Sequence, residues 1–306
     1  MSGHVVECVP NFSEGRSEAT VRALGEAVRA VPGVALLDQT MDPDHHRAVL
    51  TFAGGPDAVA EAAFQATRTA AARIDLRYHE GAHPRVGATD VVPFVPIRGV
   101  TMHDCVELAK AVGKRIGEEL KIPVFLYEQA ATHPGRANLA DIRQGGLPGL
   151  ASRMAGDPAW RPDFGPSRLH PSAGATVVGA RRLLVAFNVN LGTNDLGIAK
   201  AIARAVRQSS GGLAHVKAIG VPLVSRQHVQ VAMNLLNIDE TPVHAAFEAV
   251  RREADRRGVR VTGSELIGLA PLRALREAEA HGITIDAFDP SKILETRLAQ
   301  AGLGDL

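Results

Sequence analysis

The sequence predicts an α/β protein made of two subdomains, each with the element order β-α-β-β-α-β. Short runs of β-branched and aromatic residues alternate with longer segments whose apolar residues recur every three to four positions. This order in the first hundred residues is repeated after residue 180, within a chain of 306 residues that is long enough for two cores. We therefore expect two ferredoxin-like subdomains, residues 1–180 and 181–306, with a ligand cleft or tunnel between their sheets.

The first hundred residues supply one complete set of these elements. Strands are predicted over the apolar runs 5–9, 34–37, 48–52 and 91–97. Ser17 is a suitable N-cap for the helix between the first two strands. The turn Gly54–Gly55–Pro56 precedes an Ala-rich segment, about 57–73, that predicts the second helix.

A third helix and a further strand follow, and then a long polar segment. Thr101 and Asp104 have the spacing of a capping box, which predicts a helix start, and 122–127 reads as a strand. Residues 128–175 are rich in Gly, Pro and polar residues, with one short helix predicted at 139–143. A segment of this length with little regular structure is more often functional than idle.

The second half repeats the order. Strands are predicted over 182–189, 216–223, 229–235 and 259–261, and C-terminal helices over 272–280 and 291–301. Asn194 is expected to start the first helix of this half. Thr241 followed by Pro242 predicts an N-cap and a first helical residue for the second helix.

Composition narrows the class of protein. Lys plus Arg total 34 and Asp plus Glu total 33, and this balance argues against a nucleic-acid binder. The N-terminus lacks the pattern of a signal peptide, and no apolar run reaches the ~20 residues of a membrane helix, so a cytoplasmic location is expected. Cys8 and Cys105 fall on apolar faces and are predicted to be core residues.

His79–Glu80–Gly81–Ala82–His83 matches the H-E-x-x-H pattern of zinc proteases. That chemistry requires both histidines on one face of a helix. Gly81 disfavours a helix, and Pro84 biases the residue before it away from helical dihedrals. The alternatives are surface histidines without a role, or a rigid loop that presents His79, His83 and Arg85. The rigid loop is preferred, with His83 as an acid–base group and Arg85 as a carboxylate ligand, and no metal is expected.

Several segments together resemble the glutamate formiminotransferase family. The matching segments are 7–15, 46–54, 79–100, 163–167, 179–193 and 229–237, and they cover most of the chain. The resemblance implies transfer of a formimino group from N-formimino-L-glutamate to tetrahydrofolate, giving 5-formiminotetrahydrofolate and L-glutamate. It also implies a place in histidine degradation and one-carbon metabolism, tetrahydrofolate as co-substrate, and a homodimer.

The resemblance also implies site residues. His83 corresponds to the catalytic acid–base group, and His79 and Arg85, which share its loop, are further candidates for catalytic residues. The stretch 165–174 is expected to lie along the folate, through Gly165, Pro166, Ser167, Ser172 and Gly174. The alternative for this stretch is an ordinary polar loop.

Both substrates carry carboxylates, and the pterin ring needs polar partners. The basic residues within the matching segments are Arg47, Arg85, Arg181 and Arg182, and they are candidates for carboxylate contacts. Asn11, Asn188, Asn190 and Gln230 are candidates for the pterin. The alternatives are solvated arginines at strand ends and a turn role for Asn190. His45, His46, His228 and His244 lack ligand spacing and are predicted to be structural or surface residues.

Two positions depart from the family pattern. Ala82 stands where many members have Glu, and Ala173 stands where many have Trp, so the histidine orientation or the pterin stacking is expected to differ. The cyclodeaminase domain of the bifunctional animal enzyme is absent from the sequence, which implies a separate cyclodeaminase downstream. Two alternatives remain open: formyl transfer from N-formylglutamate or 5-formyltetrahydrofolate, and a catalytically silent folate-binding protein.

Overall fold

The computed structural model describes residues 3–43, 45–81, 83–223 and 228–304. The chain divides into two compact α/β units, one within the first 181 residues and one from Arg182 onward. Within the described ranges, no helix is long and apolar enough to cross a membrane.

The first unit combines one mixed sheet with helices. Its strands are β1 (Val5–Cys8), β2 (Asn11–Phe12), β3 (Val34–Asp42), β4 (Arg47–Gly54), β5 (Thr89–Arg98), β6 (Val124–Glu128) and β7 (Thr176–Ala180). Its helices are α1 (Glu18–Arg29), α2 (Pro56–Arg73), α3 (Met102–Glu119), α4 (Leu139–Arg143) and α5 (Gly146–Gly156).

The strands lie in the order β3, β4, β1 with β2, β5, β7, β6. The pairs among β1 to β5 are antiparallel, whereas β7 is parallel to both of its neighbours. Pro10, which has no N–H for a ladder, lies between β1 and β2 and divides what is otherwise one strand. The resulting sheet has seven strands, because β2 and β7 join the five strands predicted from the sequence.

The alternation of side chains along the strands separates two cores. On one face, Phe52 and Phe94 pack with Leu24, Phe64 and Ile116 of the helices. On the other face, α4 and α5 cover the sheet through a second cluster: Phe125, Tyr127, Ile142, Leu150 and Met154. Cys8 and Cys105 are buried in the first core, as predicted.

The predicted helix starts of the first unit are confirmed. The Ser17 hydroxyl accepts a hydrogen bond from the Thr20 amide at 3.2 Å. Thr101 and Asp104 form a reciprocal capping box, with distances of 3.1 Å and 2.8 Å. These local contacts set the ends of α1 and α3 and therefore the loops that precede them.

The second unit contains a four-stranded antiparallel sheet in the order β11, β8, β10, β9. Its elements are β8 (Val185–Leu191), α6 (Leu196–Val206), β9 (Val216–Leu223), β10 (His228–Leu235), α7 (Val243–Asp255), β11 (Val261–Ile267), α8 (Leu272–Ala280) and α9 (Leu294–Gln300). In both units the four strands of the β-α-β-β-α-β set take the same order: second, third, first, fourth. The predicted element order is thus confirmed in each unit.

Several predicted boundaries are wrong by a few residues. Asp195, not Asn194, caps α6, since its carboxylate accepts from the Gly197 amide at 2.7 Å. The Thr241 hydroxyl donates to the Ala214 carbonyl at 2.6 Å instead of capping, and α7 begins at Val243.

The polar segment 128–175 holds more regular structure than its composition predicts. Helix α5 forms although it begins in Gly145–Gly146 and contains Pro148. Its buried residues Leu150 and Met154 pack on the second core, so tertiary burial outweighs low helix propensity here.

Candidate functional site

The loop 79–85 connects the short 3₁₀ turn Leu76–Tyr78 to β5. The Arg85 guanidinium donates hydrogen bonds to three carbonyls of this loop, those of His79, Gly81 and His83, at 2.8 Å, 3.1 Å and 3.2 Å. Arg85 therefore stabilises the loop that contains His83. Its N–H groups donate to backbone carbonyls here, whereas the sequence predicts that they bind a carboxylate.

The H-E-x-x-H segment is not helical at the residues described there; Ala82 lies outside them. Gly81 packs against the turn before β4, since a Cβ at Gly81 would lie 2.7 Å from the His45 carbonyl oxygen. Among the described residues, no group of three or more His, Cys, Asp or Glu side chains is arranged to hold a metal ion. The hydrogen bonds from Arg85 and the non-helical backbone of the described residues are consistent with the rigid loop predicted from the sequence.

His83 contacts a buried arginine. The Arg47 Nη1 donates to His83 Nε2 at 2.5 Å. Since an arginine can only donate, Nε2 holds the lone pair and the neutral ring carries its proton on Nδ1. Burial, with Arg47, Arg143 and His45 adding positive charge, lowers the pKa of His83 far below its ordinary value. His83 is therefore a neutral imidazole at physiological pH.

Arg47 and Arg143 face one carboxylate, that of Asp90. Asp90 is buried, accepts from the Val86 amide at 2.7 Å and contacts Arg143 Nη2. Burial and then the charge of Arg143 lower the pKa of Arg47 to about 10. The Nε atoms of Arg47 and Arg143 are buried without a hydrogen-bond partner in the described part of the chain. Two cations thus lie near one buried anion beside His83, and the exposed Asp42 adds a smaller favourable charge for Arg47.

A stacked pair of histidines joins this loop to the turn before β4. The rings of His46 and His79 lie 3.9 Å apart, and His79 Nε2 donates to the His46 carbonyl at 3.0 Å. His46 in turn contacts the Glu80 carbonyl at 2.8 Å and the Glu14 carboxylate at 3.2 Å. Burial lowers the pKa of His79, and its Nδ1 is buried without a partner among the described atoms.

These side chains enclose a small pocket with room for about one water molecule. It is lined by Phe12, Ser13, His45, His46, Arg47, His83, Arg85 and Asp90. His45 and His46, which the sequence predicts to be structural or surface residues, both line this pocket.

Asn11 lies on the strand beside the pocket. Its partners across the sheet are Val49, two residues after Arg47, and Val91, two residues after Thr89. The Asn11 amide nitrogen donates to the Val9 carbonyl at 2.9 Å, which leaves its buried Oδ1 unpaired within the described residues. The Oγ1 of Thr89 is likewise buried and unpaired there.

The predicted folate stretch divides into two parts. Its C-terminal part pairs with the segments on both sides of the His83 loop. The Leu76 amide donates to the Ser172 carbonyl at 2.8 Å, and the Ala88 amide donates to the Ala173 carbonyl at 2.9 Å. Gly174 has a φ of +69°, and a Cβ there would lie 2.4 Å from the Val86 oxygen. Ala173 is buried in the core, so the residue at this position packs inside the protein.

The N-terminal part of the stretch lies at a different place. Gly165, with a φ of +82°, packs against Gly117 of α3 and the Ile122 carbonyl. Pro166 is half-buried and Ser167 is exposed. The structure therefore brings Ser172 and Gly174 to the His83 loop, while Gly165 serves the packing of α3.

Arg181 acts electrostatically on a second buried carboxyl group. Glu7 is buried on β1, where burial raises its pKa to about 7 and the charge of Arg181 opposes that rise. Burial raises the pKa of Tyr127 to about 12, and Arg181 hydrogen-bonds to this phenol. Arg182 is exposed. Neither arginine is among the residues that line the His83 pocket.

The predicted amides of the second unit share one sheet face. Gln230 Nε2 donates to Asn190 Oδ1 at 2.7 Å and to Glu265 at 3.0 Å, and Asn190 faces Gln230 across β8 and β10. Asn188 is two residues away on the same face. Asn190 is thus a strand residue and not a turn residue.

Sequence reasoning missed Glu14, Asp90 and Arg143. Glu14 and Asp90 lie inside the matching segments 7–15 and 79–100, and their carboxylates were the available signal. Arg143 lies in the polar segment outside every matching segment, and nothing local distinguishes it from a surface arginine.

Comparison with known proteins gives matches along both units. Residues 5–181 match the formiminotransferase domain, N-terminal subdomain, and residues 186–297 match the formiminotransferase domain. A glutamate formimidoyltransferase of Streptococcus pyogenes serotype M1 is 47% identical over 96% of this chain and 98% of its own. One from Thermoplasma acidophilum is 45% identical over 97% and 98%. The formimidoyltransferase-cyclodeaminase of Rattus norvegicus is 46% identical over 90% of this chain and 52% of its own length.

Proposed function

The chain belongs to the formiminotransferase family, and we propose that it transfers the formimino group of N-formimino-L-glutamate to tetrahydrofolate with His83 as the acid–base group. The products are 5-formiminotetrahydrofolate and L-glutamate. One observation supports this assignment of His83. Its ring lines a polar pocket and is neutral, with an unprotonated Nε2 that accepts a hydrogen bond from Arg47.

The reaction needs a group that first accepts and then returns a proton. The N5 amine of tetrahydrofolate attacks the formimino carbon, so that a C–N bond forms and a tetrahedral intermediate results. N5 loses its proton to His83, and His83 then protonates the glutamate nitrogen, whose bond to the same carbon breaks. A neutral imidazole suits the first step, and acid–base catalysis of this kind is typically worth about 10²–10⁴-fold.

The charges around His83 support an anionic substrate. Arg47 and Arg143 both place positive charge near His83, Asp90 is the carboxylate among the residues that line its pocket, and the donor carries carboxylates. Arg85 contributes by holding the loop in shape, and His79 by linking it to the turn before β4. We assign positioning roles to these two residues.

Tetrahydrofolate is the co-substrate of the family, and we infer its contacts from the polar groups of the two units. Ser172 and Gly174 pack behind the His83 loop, and Asn11 presents an unpaired amide oxygen among the described residues. Asn188, Asn190 and Gln230 offer amides on one face of the second unit. The further candidates for folate contacts are Gly165, Pro166, Ser167 and Arg181. The structure supports them less, because Gly165 packs against α3 and Arg181 acts on Glu7.

The biological setting follows from the family. We infer a place in histidine degradation and one-carbon metabolism, a cytoplasmic homodimer, and no metal requirement. The rat relative is named a formimidoyltransferase-cyclodeaminase. We infer that a separate cyclodeaminase acts on the 5-formiminotetrahydrofolate that this protein produces. The matched regions support residues 1–180 and 181–306 as the two subdomains.

A donor panel tests the proposal. Purified protein is incubated with tetrahydrofolate and either N-formiminoglutamate or N-formylglutamate, and the folate product is followed by absorbance and mass spectrometry. We expect turnover with the formimino donor. Turnover with the formyl donor alone changes the assigned donor, and folate binding without turnover of either donor contradicts the proposed enzyme.

A further inference from the structure

The charge balance around His83 is uneven. Two guanidinium groups, those of Arg47 and Arg143, lie near one buried carboxylate, that of Asp90, whereas Asp42, which also stabilises the charge of Arg47, is exposed. Arg143 lies close enough to lower the pKa of both Arg47 and His83. A buried charge without a counterion is costly. The buried Nε of each arginine lacks a partner in the part of the chain that is described. This arrangement suits one further anion.

Arg47 also forms a hydrogen bond with the lone pair of His83 that catalysis requires. Arg47 Nη1 donates to His83 Nε2 at 2.5 Å, and Nε2 is the nitrogen that has to accept a proton from the folate amine. While this hydrogen bond is in place, the imidazole cannot act as a base through Nε2. Removing the bond requires a better acceptor for the Arg47 donors.

A carboxylate is such an acceptor. Hydrogen bonds between two ionised groups are roughly twice as strong as neutral ones, and a guanidinium can bind a carboxylate through two parallel bonds. The pocket has room for about one water molecule, so a carboxylate that reaches His83 needs additional space, which a shift of the Arg47 guanidinium would provide.

We propose that Arg47 and Arg143 form a receptor for one carboxylate of the glutamate donor, and that occupation of this receptor draws Arg47 off His83 and frees the base. The proposal rests on the proposed function, because the donor's carboxylate is the anion. It gives Arg143, which has no other assigned role, a specificity role for a glutamate-based donor.

The consequence is that the substrate itself prepares the base. The charged and titratable groups around His83 are Arg47 from β4, Arg143 from α4, His45 and His46 from the turn before β4, Asp90 from β5 and, from its own loop, Arg85. Burial disfavours a protonated ring most, and the neighbouring cations disfavour it further. An added carboxylate offsets one of them, so the proton affinity of His83 rises when the donor is bound.

The experiment is a titration of the histidine rings by NMR in the full chain labelled with ¹⁵N-histidine, with the His83 resonance assigned from His83→Gln. L-glutamate, the product of the proposed reaction, is the probe, with and without tetrahydrofolate. In the wild type we expect His83 to stay neutral down to pH 5 without glutamate, and its midpoint to rise by at least one pH unit with it.

Two variants give the proposal its sharpest test. In Arg47→Gln, we expect His83 to titrate closer to its ordinary range without glutamate and glutamate to shift it little. In Arg143→Gln, we expect glutamate affinity to fall about 10-fold or more, by analogy with loss of a charged hydrogen-bond partner. Arg136→Lys is the matched control, because Arg136 forms a buried ion pair with Asp163 elsewhere in the same unit; it should leave the His83 titration unchanged.

Glutamate that binds without moving the His83 resonance overturns the proposal, and so does a His83 that already titrates normally in the wild type. Absence of glutamate binding in both folate conditions overturns it as well. Turnover of formiminoglutamate is measured in parallel. Turnover without a His83 shift contradicts this proposal alone, whereas a His83 shift without turnover of either donor contradicts only the proposed function.

Discussion

His46 and His79 stack with ring centroids 3.9 Å apart and with planes 12° from parallel, and this pair joins the turn before β4 to the His83 loop. Arg47 follows directly after this turn, and His83 lies in the loop. The stack therefore fixes the positions of Arg47 and His83 relative to each other, and these two residues form the 2.5 Å hydrogen bond.

His46→Ala is therefore expected to reduce kcat by about 10-fold or more, since small misplacements of catalytic groups are costly. Steady-state kinetics measure this change. His244→Ala is the control, because it removes a similar stack with His281, at 3.7 Å, in the second unit. Equal losses in the two variants would show that the effect is one of general stability.

His83→Ala removes the acid–base group. We expect turnover to fall by about 10²–10⁴-fold while tetrahydrofolate still binds, because the chemistry and the folate contacts involve different residues. Turnover is measured with saturating substrates, and folate binding by calorimetry. Wild-type turnover in this variant would remove the mechanism.

The lowered pKa of His83 predicts a dependence of stability on pH. Below its ordinary pKa of 6.5, the unfolded chain binds a proton at this ring and the folded chain does not. The free energy of unfolding then decreases as the pH falls below about 6, by roughly 1.4 kcal/mol per pH unit from this residue.

Urea unfolding at pH 7, 6 and 5 measures this slope. His83→Gln should reduce the slope by about that amount, whereas the exposed His103→Gln should leave it as in the wild type. An identical slope in His83→Gln and wild type is the contrary result.

Glu7 predicts the opposite dependence. Burial raises its pKa from 4.5 to about 7, so the folded chain holds a proton that the unfolded chain releases above pH 4.5. Stability from this group is present below pH 4.5 and is lost as the pH rises to about 7, by roughly 3 kcal/mol in total. Glu7→Gln should remove that decline, as measured by unfolding at pH 5 and pH 8; an unchanged difference between these pH values would refute it.

Gly174 predicts a backbone effect behind the site. Its φ of +69° and the Val86 oxygen, 2.4 Å from an added Cβ, both oppose a side chain. Gly174→Ala should cost more than the ~1–3 kcal/mol of left-handed strain alone. Gly211→Ala has a φ of +84° with nothing within 4 Å of the Cβ, so it measures the strain without the clash. Equal costs in the two variants would contradict the close approach at Gly174.

The local signals in the sequence predicted much of the fold. Ser17 and the Thr101–Asp104 pair act within one helical turn, and the alternation of apolar residues extends over a few positions. The element order of both units, the two core cysteines and the non-helical His83 loop follow from such short-range patterns. Helix α5 escaped prediction because its stability comes from Leu150 and Met154 packing on distant strands.

By itself, the sequence determined the elements and their order, and the loop that presents His83, since caps, turns and hydrophobic periodicity act between neighbours along the chain. Only the tertiary structure decided what His83 contacts. Arg47 is 36 positions away from it, and Arg143 is 53 positions from Asp90. The pairing of strands and the packing of α4 bring these charges together, and no short-range pattern encodes that distance.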